Sequence, residues 1–293
     1  GLGVSVDWKI DSKGSGSIWT EFFPVSEVPP MSFDLPQNEQ LSVEQLSMKY
    51  LSDLDGTDKA LKLNSLRSLV DLYKGWVSQL ESILPKLKPI HQPAAYKNIE
   101  NCKRAYERMY LGIGIFETNE QAYSAFMLAN RAMFMQRTHL RMQQETADQD
   151  RYRGDEKIEK LLREMDYYQQ LDNDCRWRPF QLAFLLMDVA SIVDNTSPDR
   201  DIVDLIWFPT GGGKTEAYLG LTAFTIFYRR LMYLNESDGT AVTMRYTLRL
   251  LAAQQFSRAS TLICACEYIR RDCEQKRSKY PRYALGKNSI TIG

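Results

Sequence analysis

Histidine is almost missing from this chain: 293 residues hold two, His91 and His139, far apart in the sequence. Neither belongs to a set with a nucleophile and a carboxylate, so a Ser-His-Asp or Cys-His relay has no support. Cysteine is scarce as well, five in all. Cys264 and Cys266 stand in Cys-x-Cys spacing, which on a helix aims the thiols at different faces, and no second pair has finger spacing. Cys264, Cys266 and Cys273 therefore read as core or half-buried thiols rather than metal ligands. No apolar run reaches the roughly 18 residues of a membrane span, and no secretory signal is visible. With an odd cysteine count, these absences predict a reducing, cytoplasmic setting and no membrane partner. Excess charge of either sign is also lacking, since Lys plus Arg and Asp plus Glu both number 37. Any contact with a polyanion has to come from a local patch.

What is present suffices for one large domain or two ordinary ones, with 44% hydrophobic residues to build cores. The chain opens on GLGVSVDWKI without an initiator Met and closes on NSITIG, an alternation that reads as a strand just beginning. Both ends suggest a piece of something longer.

Three regions are expected. Residues 1–37 read as a small β hairpin and a Pro-rich connector: Val4, Val6, Trp8 and Ile10 alternate, DSKGSGS supplies a turn, and PVSEVPPMSFDLPQ carries four prolines. Residues 38–165 read as a helical accessory domain. Leu66, Leu69, Val70, Tyr73, Trp76, Val77, Leu80 and Leu84 form one stripe, ended by Pro85. Ile99, Cys102, Tyr106, Met109, Tyr110 and Ile113 form a second. TNEQ has capping-box form and predicts that Thr118 starts a third helix. In that helix Met127, Met133, Phe134 and Met135 look like packing residues. The charged run from QQETADQD to MDYYQQ reads as a solvated helix or linker.

Residues 166–293 change rhythm. DIVDLIWF and GTAVTMRY look like strands, each followed by a good helix, a pattern that predicts an α/β fold with a parallel sheet. Between the first strand and its helix lies WFPTGGGKTEAYLG. Thr210, Gly211, Gly212, Gly213, Lys214, Thr215 and Glu216 fall where free helix amides and the positive end of the helix dipole meet, which suits an anion. Glycines let the backbone wrap a phosphate closely, Lys214 would reach the β and γ phosphates, and the Thr215 hydroxyl would ligate Mg²⁺. Phe208 stands where the general pattern has its first glycine.

Upstream, RWRPFQLAF offers Gln181, whose amide can give a donor and an acceptor to an adenine edge; the plainer alternative is a solvent-facing residue in a helix opened by Pro179. Downstream, Thr247 and Arg249, with Gln254 and Gln255, sit at a strand end and the start of the next helix. Thr247 and Arg249 suit phosphates of a single nucleic-acid strand, or Arg249 and Arg258 are ordinary solvated helix residues. Arg245, within an apolar run, is expected to have a buried partner.

RPFQ, FPTGGGKTEA and TLRLLAAQQ resemble, in order, the adenine-reading motif, motif I and motif Ia of superfamily 2 helicases. Together with GLGVSVDW, TEFFPVSEVP, LANRAMFMQ and WRPFQLAFLL, they resemble the DrmA-like helicase subunits of DISARM-type anti-phage systems across nearly the whole chain. The resemblance implies a helical accessory domain followed by the first part of a RecA-like P-loop domain. It also implies an ATP-dependent helicase or translocase using ATP and Mg²⁺ on single-stranded DNA, beside a DrmB-like partner subunit and a DNA methyltransferase. By motif position, Lys214 and Thr215 would be catalytic, Gln181 would read adenine, and Thr247 and Arg249 would hold the strand. A DExH or DExD carboxylate pair is missing after motif Ia, Asp272 and Glu274 fit that role poorly, and no arginine finger is present. The segment alone is therefore expected not to hydrolyse ATP. The rival reading is a nucleotide-gated DNA sensor or assembly subunit; another is a phosphate-loop NTPase acting on a small molecule.

Overall fold

The computed structural model describes residues 32, 34–35, 40–52, 58–147, 175–208, 211–237, 239–246, 249–279 and 281–293, without the side chains of 142–147, 235 and 249–251. The chain divides into two compact units, Gly1–Ser32 and Phe33–Gly293. The second is the subject below. The expected hairpin and nearly all of the proline-rich connector lie outside the described residues, as does most of the charged run after residue 142.

Helix α1 spans Met48–Ser52 and α2 Lys59–Ile83. Asp58 caps α2, its carboxylate accepting from Ala60 N at 2.9 Å, and the helix tightens into a 3-10 turn at Leu84–Lys86, where Pro85 interrupts it. Of the expected stripe, Leu66, Leu69, Val70 and Val77 are buried, whereas Trp76 is exposed. Helix α3, Gln92–Thr118, buries Ile99, Met109 and Ile113 as the second stripe requires. Helix α4 spans Glu120–Ala147. Thr118 does not start it: Asn119, in an extended conformation, breaks the chain between the helices. Its Oδ1 accepts from Ala122 N at 2.9 Å, while the Thr118 hydroxyl donates to Gly114 O within α3. Asparagine one residue later caps the helix because its extended backbone places the carboxamide oxygen within reach of the free amide, whereas Thr118 is still helical.

Helix α4 is the centre of the unit. Met127, Met133, Phe134 and Met135 are all buried, because α1 and two later helices, α6 (Lys214–Tyr233) and α7 (Arg249–Gln275), pack along it. Helix α5, Pro179–Val193, lies against α3 and α6. Trp177, just before α5, fills the space between α4 and α6. Its Nε1 donates to Asn130 Oδ1 at 2.6 Å, and a Cβ on Gly220 of α6 would stand 2.5 Å from its Cη2. Gly220→Ala should therefore lower stability by about 1–2 kcal/mol despite alanine's better helix propensity, because the indole has no free volume to retreat into. A urea midpoint equal to wild type would sink that expectation.

The parallel sheet is not there. Among the described residues no strands pair into a sheet, and the one β-type contact is an isolated antiparallel bridge between Ser47 and Arg176. The described fold is helical, which overturns the expected α/β class and its RecA-like sheet. The physical reason lies in what alternation measures. Residues 202–208 do run with a period of two: Val203, Leu205 and Trp207 are exposed, and Ile202, Asp204, Ile206 and Phe208 are partly covered. Alternation sets a local backbone shape, but a ladder needs a second strand alongside. None of the described segments lies in pairing register with 202–208 or with 240–246. Arg245 is likewise exposed rather than buried.

The terminal NSITIG run is held by side chains in place of a ladder. Arg230 donates to Asn288 O at 2.7 Å and Ser289 O at 3.1 Å. Glu267 accepts from Ile290 N at 2.9 Å. The Arg270 fork, donating to both Glu267 oxygens at 2.8 Å, holds the Glu267 carboxyl down at about 2.

Candidate phosphate-loop site

The glycine loop joins the unpaired segment 202–208 to helix α6. Gly211 and Gly213 adopt left-handed φ values of 83° and 82°, a conformation that glycine takes without a Cβ penalty. Gly213 also needs to be small: a Cβ there would meet Gln181 Nε2 at 2.8 Å. Beside Gly211 nothing lies within 4 Å of such an atom, so the outer wall of the loop faces open space. Gly213 occupies the N-cap position of α6 and, having no side chain, adds no cap of its own to the first helix amides. Those donors and the positive dipole end remain directed at the loop.

Three side chains fasten the loop through its carbonyls. Lys214 Nζ donates to Phe208 O at 2.6 Å. Gln181 Nε2 donates to Gly213 O at 2.7 Å, and Arg178 Nη1 to Gly212 O at 2.7 Å. Gln181 is 3% exposed, which excludes the solvent-facing alternative. Its Oε1 accepts from Arg178 N at 2.8 Å, closing the first turn of α5, and Pro179 at that turn has no amide to lose. The Phe180 ring stacks on Phe208 with centroids 4.1 Å apart. Phe208 thus fills, with an aromatic contact, the position where a glycine is usual.

Glu216 is buried on the first turn of α6 and accepts from Arg258 of α7 and, at 3.5 Å, from Arg137 Nη1 of α4. The carboxylate ties three helices together at the base of the loop, and its charge complements the helix N-terminus. Thr215 is partly covered, on the same turn. The structure therefore gathers Gln181, Gly211, Gly212, Gly213, Lys214, Thr215 and Glu216. Thr210 and Thr247 lie outside the described residues. Arg249 is the first residue of α7, and its side chain is outside them too. Asp272 is not a candidate catalytic carboxylate: it is buried in ion pairs with Arg131 at 3.4 Å and Lys276 at 2.8 Å.

These residues fit a triphosphate by their chemistry. One ammonium, uncapped helix amides and an open backbone cradle make an anion site. Among the described residues no group of His, Cys, Asp and Glu could hold a metal by itself, and no helix is long and apolar enough to cross a membrane.

A neighbouring cluster was missed by sequence reasoning. Arg108 of α3 donates to both oxygens of Asp204 at 2.7 Å. Its Nε lies 3.2 Å from Asp199 Oδ2, and its Nη2 lies 3.8 Å from Asp188 Oδ1. The Arg108 fork holds the Asp204 carboxyl below its usual range. Burial, and then the adjoining Asp204 carboxylate, push Asp188 up to about 7. No local signal could have shown this set, whose members come from four different segments.

No family model matches the chain. Among curated proteins it is 37% identical, over 304 residues that take in all of this chain, to the DISARM protein DrmA of Bacillus paralicheniformis. The chain belongs with the DrmA-like proteins. It spans 24% of the length of that relative. In the DrmA-like chain, the loop, Gln181 and Lys214 stand together as described above. Arg178, Arg137 and Arg258 are the additions: Arg178 was visible in the RPFQ run, whereas Arg137 and Arg258 meet Glu216 only through the packing of α4 and α7 on α6.

Proposed function

We propose that this chain is the nucleotide-binding portion of an ATP-dependent DNA helicase or translocase subunit acting in DISARM anti-phage defence. The observation that carries the reading is the gathering of Lys214, the left-handed glycines and buried Gln181 around the uncapped start of α6. Its setting in a DrmA-like chain supports the defence role.

In this reading Lys214, now bonded to the Phe208 carbonyl, would hold the β and γ phosphates, and the Thr215 hydroxyl would ligate Mg²⁺. Beyond its bonds to Gly213 O and from Arg178 N, Gln181 retains one N–H and one lone pair, the donor and acceptor an adenine edge would need. Bound ATP would supply the free energy for a conformational change that shifts the grip on the strand. Arg249, the first residue of α7, and Thr247, two positions earlier in the sequence, would hold that strand's phosphates. The carboxylate pair and arginine finger come from elsewhere in the complete subunit, which works with a DrmB-like partner and a DNA methyltransferase.

Lys214→Ala in the complete subunit should reduce single-strand-stimulated ATP hydrolysis to background while leaving thermal unfolding unchanged. An unaltered rate would remove Lys214 from its role. ATP hydrolysis without any stimulation by DNA would instead favour a phosphate-loop NTPase acting on a small molecule.

A further inference from the structure

We propose that Arg108 is a positioning residue for the phosphate loop, acting through Asp204; the proposal rests on the nucleotide-binding reading of that loop. The starting observation is how little holds the segment that delivers the loop. From Val203 to Trp207, Asp204 makes the sole hydrogen bonds and ion pairs among the described residues. Val203, Leu205 and Trp207 are 93%, 81% and 82% exposed, so packing adds little on that side. The segment is therefore fixed at two places. One is Asp204, gripped by Arg108. The other is Phe208, stacked on Phe180 and accepting the Lys214 ammonium.

Three extended residues, Leu205 to Trp207, separate the two points, roughly 13 Å of chain with no ladder to stiffen it. The position of the Phe208 carbonyl, and with it the position of the Lys214 ammonium, then depends on where the Asp204 end is set. Arg108 sets it well. Its side chain is 9% exposed, and a planar fork bonded to both carboxylate oxygens fixes direction as well as distance. Asp199 and Asp188 occupy further sides of the same guanidinium, and Arg104 reaches Asp199 at 3.4 Å. Arg108 thus has little freedom to turn away, and α3 determines where the loop begins although it contributes no residue to the loop.

The test uses the complete subunit and Mg·ATP. Arg108→Ala would strand three carboxylates and can fail to fold, so the informative variants are Asp204→Asn, which keeps the shape, and Arg108→Lys, which keeps the charge but loses the fork. Each should weaken Mg·ATP binding about tenfold at a temperature where the protein is fully folded, and the double variant should be no weaker than the worse single, because both break one contact. Lys214→Ala is measured alongside. If both single variants bind Mg·ATP within twofold of wild type while Lys214→Ala loses binding, Arg108 is merely structural and the proposal falls. If Lys214→Ala also binds like wild type, the nucleotide reading itself fails and takes the proposal with it.

Discussion

Gly112→Ala should destabilise the chain by about 3 kcal/mol or more. Its Cβ would lie 2.2 Å from the Leu186 carbonyl oxygen and 3.4 Å from Val189 Cβ. The obstruction is backbone, which has no rotamer to change, so α3 and α5 must separate. Alanine's helix propensity returns only about 1 kcal/mol, less than overpacking at a rigid contact costs. Separation would also carry away the N-terminus of α5 with Gln181, so nucleotide affinity should fall together with stability. Two turns of logic can be checked at once, because Gly114 lies in the same helix with nothing within 4 Å of a Cβ. Gly114→Ala should be neutral or stabilising by up to about 1 kcal/mol. Thermal unfolding of the pair decides: a Gly112→Ala midpoint at or above that of Gly114→Ala would show that the two helices do not make this close approach.

Asp188 should make the fold less stable as pH rises. Its carboxyl has an ordinary value of 3.8 and is pushed up to about 7 in the folded chain. A folded-state value above the unfolded one means that the native state binds the extra proton. The benefit of that proton is fully present below about pH 4 and is lost progressively as pH rises through 7. The size is on the order of 4 kcal/mol; Glu267, lowered from 4.5 to about 2, acts in the opposite direction only below about pH 4.5 and leaves most of the pH 4–7 window unchanged. Asp188→Asn keeps the shape without the charge. It should raise stability above pH 7 and flatten the difference between pH 4 and pH 7, measured as urea midpoints across that range. A variant that tracks wild type at every pH would show that Asp188 is ionised throughout in the native chain, with Arg108 outweighing burial.

How much of this could be read beforehand depended on the range of the interaction. The long helices and the glycine loop were legible because a period of three or four, a proline at a first turn and a run of small residues each act within a few positions. The α2 stripe and the burial of Met127, Met133, Phe134 and Met135 follow from that. The start of α4 was misplaced by one residue because Thr118 and Asn119 are both good caps, and only backbone geometry chooses between them. The sheet was misread because alternation in 202–208 reports a backbone shape and is silent about a neighbour.

The amino-acid sequence alone determined the helices, the loop and the chemistry available at Lys214, Thr215 and Gln181, since those depend on residue type and short spacing. Tertiary structure decided the rest. It set Gln181 against Gly213, brought Arg137 to Glu216 across 79 positions and Arg108 to Asp204 across 96. It also left 202–208 without a partner strand among the described residues. Charges and edges separated that far in the chain meet only when packed helices bring them together, and no local pattern encodes which of many carboxylates a given guanidinium will reach.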